Sequence, residues 1–315
     1  NLILFGAPGT GKSHQVQRLL DQYDRVIRCV FHPDYTYGDF VGCYRPVTGY
    51  DTTGKIIPFD GGPPIDRPVI YYTFEPGHLL QAYLLARQSP DQEIALVIEE
   101  INRGDCAAIF GDCFQLLDRN DKGESTYGIR LAPHAAAYVA SKGALDSPDS
   151  EMFLPANLTL LATMNTSDQS LYPMDSAFKR RWDWLSVPIE YDIDDLREVE
   201  VEQSHPAAQM GAVRWLDFIR KVNDAATQTR LPGDKRVGPW YIKPVEGVIP
   251  SRAVRDRLLF YLWHETFQDR ERQACAQELQ SFEAVQQAYD AGGLTRVFAP
   301  LFEGDPLDHT DPASS

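Results

Sequence analysis

Eight consecutive residues, Gly6-Ala7-Pro8-Gly9-Thr10-Gly11-Lys12-Ser13, satisfy the pattern G-x-x-x-x-G-K-[ST] in full. Glycines at these spacings let the backbone curl so that its N–H groups turn inward around phosphate oxygens, at the positive end of the helix that follows. In such a loop Lys12 reaches the β- and γ-phosphates and the hydroxyl of Ser13 ligates magnesium. The context that the pattern requires is present. Asn1-Leu2-Ile3-Leu4-Phe5 is an apolar, strand-like lead-in, and His14 to Leu20 reads as a helix. The chain is therefore expected to bind a nucleoside triphosphate with magnesium, Gly6 to Ser13 holding the phosphates.

Hydrolysis needs two further acids, one to hold magnesium and one to orient or deprotonate the attacking water. The run Ile94-Ala95-Leu96-Val97-Ile98-Glu99-Glu100 offers both at the end of an apolar strand. Open α/β sheets bind ligands at that edge. Glu99 is assigned to the magnesium side and Glu100 to catalysis. The 88 positions from Lys12 to Glu100 leave room for at least one more strand between them. A later strand ends in Thr163-Met164-Asn165-Thr166. The uncharged amide of Asn165 can position water or touch the γ-phosphate, as the sensor 1 residue does in AAA+ ATPases.

The elements that must position these residues alternate along the first half of the chain. Strand-like runs at Leu2 to Phe5, Val26 to Phe31, Ile94 to Glu99 and Leu158 to Thr163 are separated by helical or loop stretches, the signature of a parallel sheet covered by helices. Thr48 to Pro76 reads as a hairpin-like insertion carrying Val69-Ile70-Tyr71-Tyr72, and Pro133 to Pro155 as an irregular one. From Tyr191 the pattern turns helical, with Val213, Leu216, Phe218, Ile219 and Val222, then Leu258, Leu259, Tyr261, Leu262 and His264, at helical spacing. The expected fold class is α/β: a P-loop NTPase domain over 1–190 with its parallel sheet flanked by helices, a smaller helical lid domain over 191–303, and a loose tail over 304–315.

At 315 residues, 43% hydrophobic and 24% charged, the chain suits a soluble globular protein of one large and one smaller domain. No apolar run approaches the roughly 20 residues that span a bilayer. Five scattered cysteines without C-x-x-C spacing fit a reducing cytoplasm and indicate neither a disulfide framework nor zinc. The seven histidines show no metal-binding spacing, so no metal beyond magnesium is expected. A net charge of −15 argues against a free-standing nucleic-acid binder, because phosphate contacts need a basic face. The start on Asn1, within an apparent core strand, leads us to expect further N-terminal domains.

Several blocks resemble McrB-type proteins, the NTPase motors of modification-dependent restriction systems. They are Phe31-His32-Pro33-Asp34-Tyr35-Thr36-Tyr37-Gly38-Asp39-Phe40 running on to Tyr44-Arg45-Pro46, then Glu99-Glu100-Ile101-Asn102-Arg103-Gly104 with Phe110-Gly111-Asp112 and Leu116-Leu117-Asp118. Met164-Asn165-Thr166-Ser167-Asp168 and Met174-Asp175-Ser176-Ala177-Phe178-Lys179-Arg180-Arg181-Trp182 follow in order. The lid is similar only loosely, through Asp234-Lys235-Arg236-Val237-Gly238-Pro239-Trp240-Tyr241. The resemblance implies an AAA+ fold, places Asp168 among the nucleotide-binding residues, and puts Arg180 or Arg181 into a neighbouring subunit's site as an arginine finger. It also puts Asn102 and Arg103 at the active site or the same interface. Two positions depart from the family pattern: Glu99 stands where Asp is usual, which predicts slower hydrolysis, and Gln169 stands where arginine is frequent.

What the resemblance implies is an oligomeric motor, a hexameric ring, that drives a separate McrC-like nuclease subunit and meets DNA through that partner or an N-terminal domain. No nuclease centre is visible in this sequence. The loop reads phosphates rather than the base, so GTP and ATP both fit. Two other readings stay open: a MoxR-like protein-remodelling ATPase, and a nucleotide-gated scaffold with weak hydrolysis.

Overall fold

The computed structural model describes residues 1–56, 65–166, 172–202, 213–228, 235–267 and 274–302. Packing divides them into two compact units. The first comprises Asn1–Leu4, Val16–Met164 and the described residues through Leu185; the second comprises Phe5–Gln15, Asn165, Thr166 and the described residues from Ser186 onward.

The elements up to Ser186 are, in chain order, β1 (Leu2–Gly6), α1 (Lys12–Leu20), β2 (Arg25–Val30), α2 (Tyr37–Phe40), β3 (Gly42–Ile56), β4 (Ile65–Pro76), α3 (His78–Gln88), β5 (Ile94–Glu99), α4 (Cys106–Phe110), α5 (Pro133–Ser141), β6 (Leu158–Asn165), α6 (Ser176–Lys179) and β7 (Asp183–Ser186). Five strands form one sheet in the order β2-β5-β6-β1-β7. β5 runs parallel to both neighbours, pairing Ile94 with Arg25 on one side and Leu158 on the other. Its unbroken apolar sequence suits this central place, and Ile94 to Ile98 are completely buried. β2 lies at the sheet edge, and there Val26 and Val30 are exposed.

The block from Phe31 to Phe40 does structural work. A capping box joins Thr36 and Asp39 at the start of α2. Phe31 and Phe40 pack edge-on with centroids 5.6 Å apart, Phe40 meets Phe110 at 4.7 Å, and Phe110 meets Phe178 at 5.3 Å. Helix α3 buries Leu79, Leu80, Ala82, Tyr83, Leu84 and Ala86.

Two insertions differ from expectation in detail. The antiparallel β3–β4 hairpin begins at Gly42, six residues before Thr48. Gly42 sits at φ +140°, where a Cβ would lie 2.6 Å from the Phe74 ring. Within Pro133 to Pro155, Pro133 at the first turn and Ala135-Ala136-Ala137 after it support α5, so that stretch is helical rather than irregular at its start.

Beyond Ser186 come β8 (Glu200–Val201), α7 (Trp215–Gln228), β9 (Val248–Ile249), α8 (Ser251–Ala253), α9 (Leu259–Tyr261), α10 (Phe282–Val297) and α11 (Ala299–Phe302). Strands β8 and β9 pair in parallel, and π-helical turns follow α8 and α9. Trp215, Phe218, Ile219, Val222 and Ala226 recur at helical spacing along α7 and are buried in one core with Val254, Leu258, Leu262 and Phe298, the Phe218 and Phe298 rings lying 5.5 Å apart. The expected tail over 304–315 lies outside the described residues. Among the described residues no helix is long and apolar enough to cross a membrane. None of their His, Cys, Asp and Glu side chains form a group of three that could hold a metal ion.

Candidate nucleotide-binding site

The loop Gly6 to Gly11 links the end of β1 to the start of α1. Gly9 (φ +77°) and Gly11 (φ +88°) occupy the left-handed region that a side chain would strain. Lys12 is 8% exposed, and its ammonium donates to the carbonyls of Gly6 (3.0 Å) and Ala7 (2.8 Å). The Thr10 hydroxyl donates to the same Ala7 carbonyl at 3.1 Å. Outside the loop, Val187 N–H donates to Phe5 O at 2.8 Å and Thr166 N–H to Gly6 O at 3.4 Å. Thr166 directly follows Asn165, the half-buried last residue of β6.

A strap over 235–241 is fastened to this loop by backbone bonds. Gly238 N–H donates to Pro8 O and Trp240 N–H to Gly9 O, both at 2.8 Å. The approach is so close that a Cβ on Gly238 would stand 2.3 Å from Gly9 C, and one on Gly9 would stand 2.5 Å from Tyr241 N. On its other side the strap is pinned to the helical core. Trp215 Nε1 donates to Pro239 O at 2.7 Å, the buried Asn223 amide exchanges two bonds with the Val237 backbone, and Thr266 Oγ1 donates to Lys235 O at 2.9 Å. The sequence marked this segment only as a loose resemblance; its docking on the loop had no sequence signal beyond the glycine before Pro239. Gly238→Ala is expected to lower stability by about 1–3 kcal/mol, the cost of overpacking a close contact. Thermal unfolding and titration with a fluorescent triphosphate would check this, with affinity falling alongside stability.

At the tip of β5, alternation turns Glu99 to the face shared with Val97 and Ala95. Its Oε1 accepts from Arg28 Nη1 on β2 at 3.1 Å, and Arg28 Nη2 donates to Gln17 Oε1 at 3.0 Å. Glu100 adopts the left-handed conformation (φ 54°, ψ 47°), unusual for a residue with a side chain and found mostly where a site demands it. Its N–H donates to Thr163 Oγ1 at 3.3 Å, and its carboxylate lies 3.4 Å from Arg103 Nε. Asn102 is buried, and its carbonyl accepts from Tyr172 N–H at 3.1 Å. Arg28 and Gln17 were not expected from the sequence. An arginine interrupting the apolar alternation of an edge strand was the available signal.

The two candidate fingers differ sharply. Helix α6 is capped by Asp175, whose carboxylate accepts from Phe178 N–H at 2.6 Å. Just past its end, the Arg181 side chain is 9% exposed. Its guanidinium grips Asp118 Oδ2 through Nε (3.0 Å) and Nη2 (2.8 Å), donates from Nη1 to Ala177 O, and lies 4.1 Å over the Phe114 ring. Arg180 is exposed and makes no side-chain hydrogen bond or ion pair among the described residues. Asp168 and Gln169 lie outside the described residues.

The family model of the AAA domain (dynein-related subfamily) matches residues 1–182. The chain is 34% identical over 278 residues to the Type II restriction enzyme BsuMI component YdiS of Bacillus subtilis, covering 85% of this chain and 79% of that protein. It is 27% identical over 203 residues to the Type IV methyl-directed restriction enzyme EcoKMcrB subunit of Escherichia coli, covering 62% of this chain and 37% of that subunit. The AAA model thus spans more than half of the chain and a restriction component most of it: the chain belongs to the dynein-related subfamily of the AAA family, as a McrB-like AAA+ ATPase.

Proposed function

We propose that this ATPase is the nucleotide-driven motor subunit of a restriction system and that it works as an oligomeric ring with a separate nuclease subunit that cuts DNA. The observation that carries the reading is the phosphate loop, with two left-handed glycines, a lysine drawn into the loop, and a helix starting at that lysine. The restriction context comes from the two relatives, both of which are named as restriction components.

In this reading Gly6 to Ser13 bind the phosphates, with Lys12 neutralising the β- and γ-oxygens, and Asp168 contributes to nucleotide binding. The Ser13 hydroxyl and the Glu99 carboxylate are hard oxygen donors of the kind magnesium prefers, and Glu99 is partly exposed and so able to take a ligand. Bound magnesium supplies charge neutralisation at the phosphoryl group. Glu100 accepts the proton of the attacking water, and Asn165 orients that water without adding charge. Arg180 of a neighbouring copy stabilises charge on the transferred phosphoryl group, while Arg181 anchors the end of α6 from which Arg180 projects.

Steady-state phosphate release with GTP and ATP in parallel tests the reading. Glu100→Gln keeps the size of the side chain and removes its basicity, so release should fall about a hundredfold or more while triphosphate binding persists. Release no faster than in this variant, with either nucleotide, would remove the motor. Turnover with at least one of the two nucleotides, stimulated by a co-expressed nuclease subunit, is the expected result.

A further inference from the structure

β2 is short and at the sheet edge, and its register against β5 matches Arg28 with Val97 and Val30 with Glu99. Side chains two apart on neighbouring strands share a face, so Arg28 and Glu99 are diagonal neighbours by construction. The planar guanidinium fork is held at two points. One amino group donates to Glu99 Oε1 and the other to Gln17 on α1, one helical turn past Ser13. The Arg28 side chain is 42% exposed, so it fills no core position. An isolated exposed ion pair adds little to folding. What it does change is the charge on one particular carboxylate.

We propose that Arg28 is a resident counter-cation on Glu99, competing with magnesium for that carboxylate and so setting the metal concentration that the site requires. The proposal rests on the reading of Glu99 as the magnesium-side acid. A divalent ion arriving at Glu99 meets a positive charge already within hydrogen-bond distance, and one carboxylate oxygen is engaged. The metal binds once the guanidinium swings away or shares the group, which costs affinity. Side-chain length makes the pairing possible. An aspartate at 99 would withdraw the carboxylate by about 1.5 Å, the length of one carbon–carbon bond, and carry it beyond hydrogen-bond reach of Arg28.

The test uses the full chain with a non-hydrolysable triphosphate, and reads Mn²⁺ binding by electron paramagnetic resonance titration alongside the Mg²⁺ dependence of phosphate release. Arg28→Gln removes the charge while keeping a polar side chain on the exposed strand; it should bind Mn²⁺ about fivefold more tightly, the effect of deleting one screened charge about 5 Å from a divalent ion. Half-saturating Mg²⁺ should fall in step. Arg28→Lys retains the charge and should restore the original affinity, whereas Glu99→Asp should tighten Mn²⁺ binding and leave it less sensitive to Arg28→Gln, since the direct pairing is lost and only the distant repulsion remains. Unchanged or weaker Mn²⁺ binding in Arg28→Gln, with Glu99→Gln weakening it strongly, would overturn the competition while leaving Glu99 as the metal carboxylate. Unchanged binding in Glu99→Gln would instead overturn the assignment of Glu99 itself. Thermal unfolding of Arg28→Gln within a few degrees of the parent excludes a folding effect.

Discussion

Replacing Lys12 with alanine is expected to reduce phosphate release to background and to abolish triphosphate binding. The ammonium is buried within the loop, bonded to the Gly6 and Ala7 carbonyls. No other cation among Gly6 to Ser13 can neutralise phosphate oxygens there. Catalysis of phosphoryl transfer is almost entirely positioning and electrostatics, so loss of this charge removes both binding and rate. Lys12→Arg should rescue little, because a flat, branched guanidinium cannot replace a compact ammonium in a space bounded by two backbone carbonyls. Circular dichroism must show the variant folded. A folded Lys12→Ala protein with parental turnover would overturn the loop's assignment.

Arg180→Ala should lower turnover about a thousandfold or more, the range seen for arginine fingers, with little change in thermal stability because the side chain is exposed. Mixing it with Glu100→Gln subunits should restore turnover: one variant brings an intact catalytic acid and the other an intact finger. Without such complementation, Arg180 does not act in trans. Arg181→Ala is expected to behave oppositely. Removing it leaves the partly buried Asp118 carboxylate without its guanidinium and uncovers Phe114, costing about 2–4 kcal/mol of stability. No mixture should repair that loss.

The features legible in the sequence are those whose chemistry is local. The phosphate loop is one contiguous octapeptide, and the strand from Ile94 to Glu99 is announced by its own apolar run. Helix α7 follows its apolar spacing, and the sheet's helices and strands alternate as expected. The rest depends on partners distant in sequence. Arg180 and Arg181 are adjacent and chemically identical; Asp118 and Phe114 distinguish them, and neither position is marked by spacing. The pairing of Arg28 with Glu99 follows from strand register, which hydrophobic pattern alone did not specify. The aromatic residues of the Phe31 to Phe40 block read as motif in the sequence, yet much of their work is packing against Phe110 and one another.

The strap over 235–241 has a consequence for how the protein is made. The carbonyls of Pro8 and Gly9 are among the first groups of this segment to leave the ribosome, and the amides that bond them follow about 230 residues later. At roughly 5–20 residues per second, that interval is on the order of ten seconds or more. Through that time the loop can form its internal turns but not its native boundary, since Gly238 and Trp240 do not yet exist. Contacts of such long sequence separation close late in folding. The nascent chain therefore carries the phosphate-binding octapeptide, complete in sequence, without the surface that holds it in shape, and nucleotide capture falls after the strap has been synthesised.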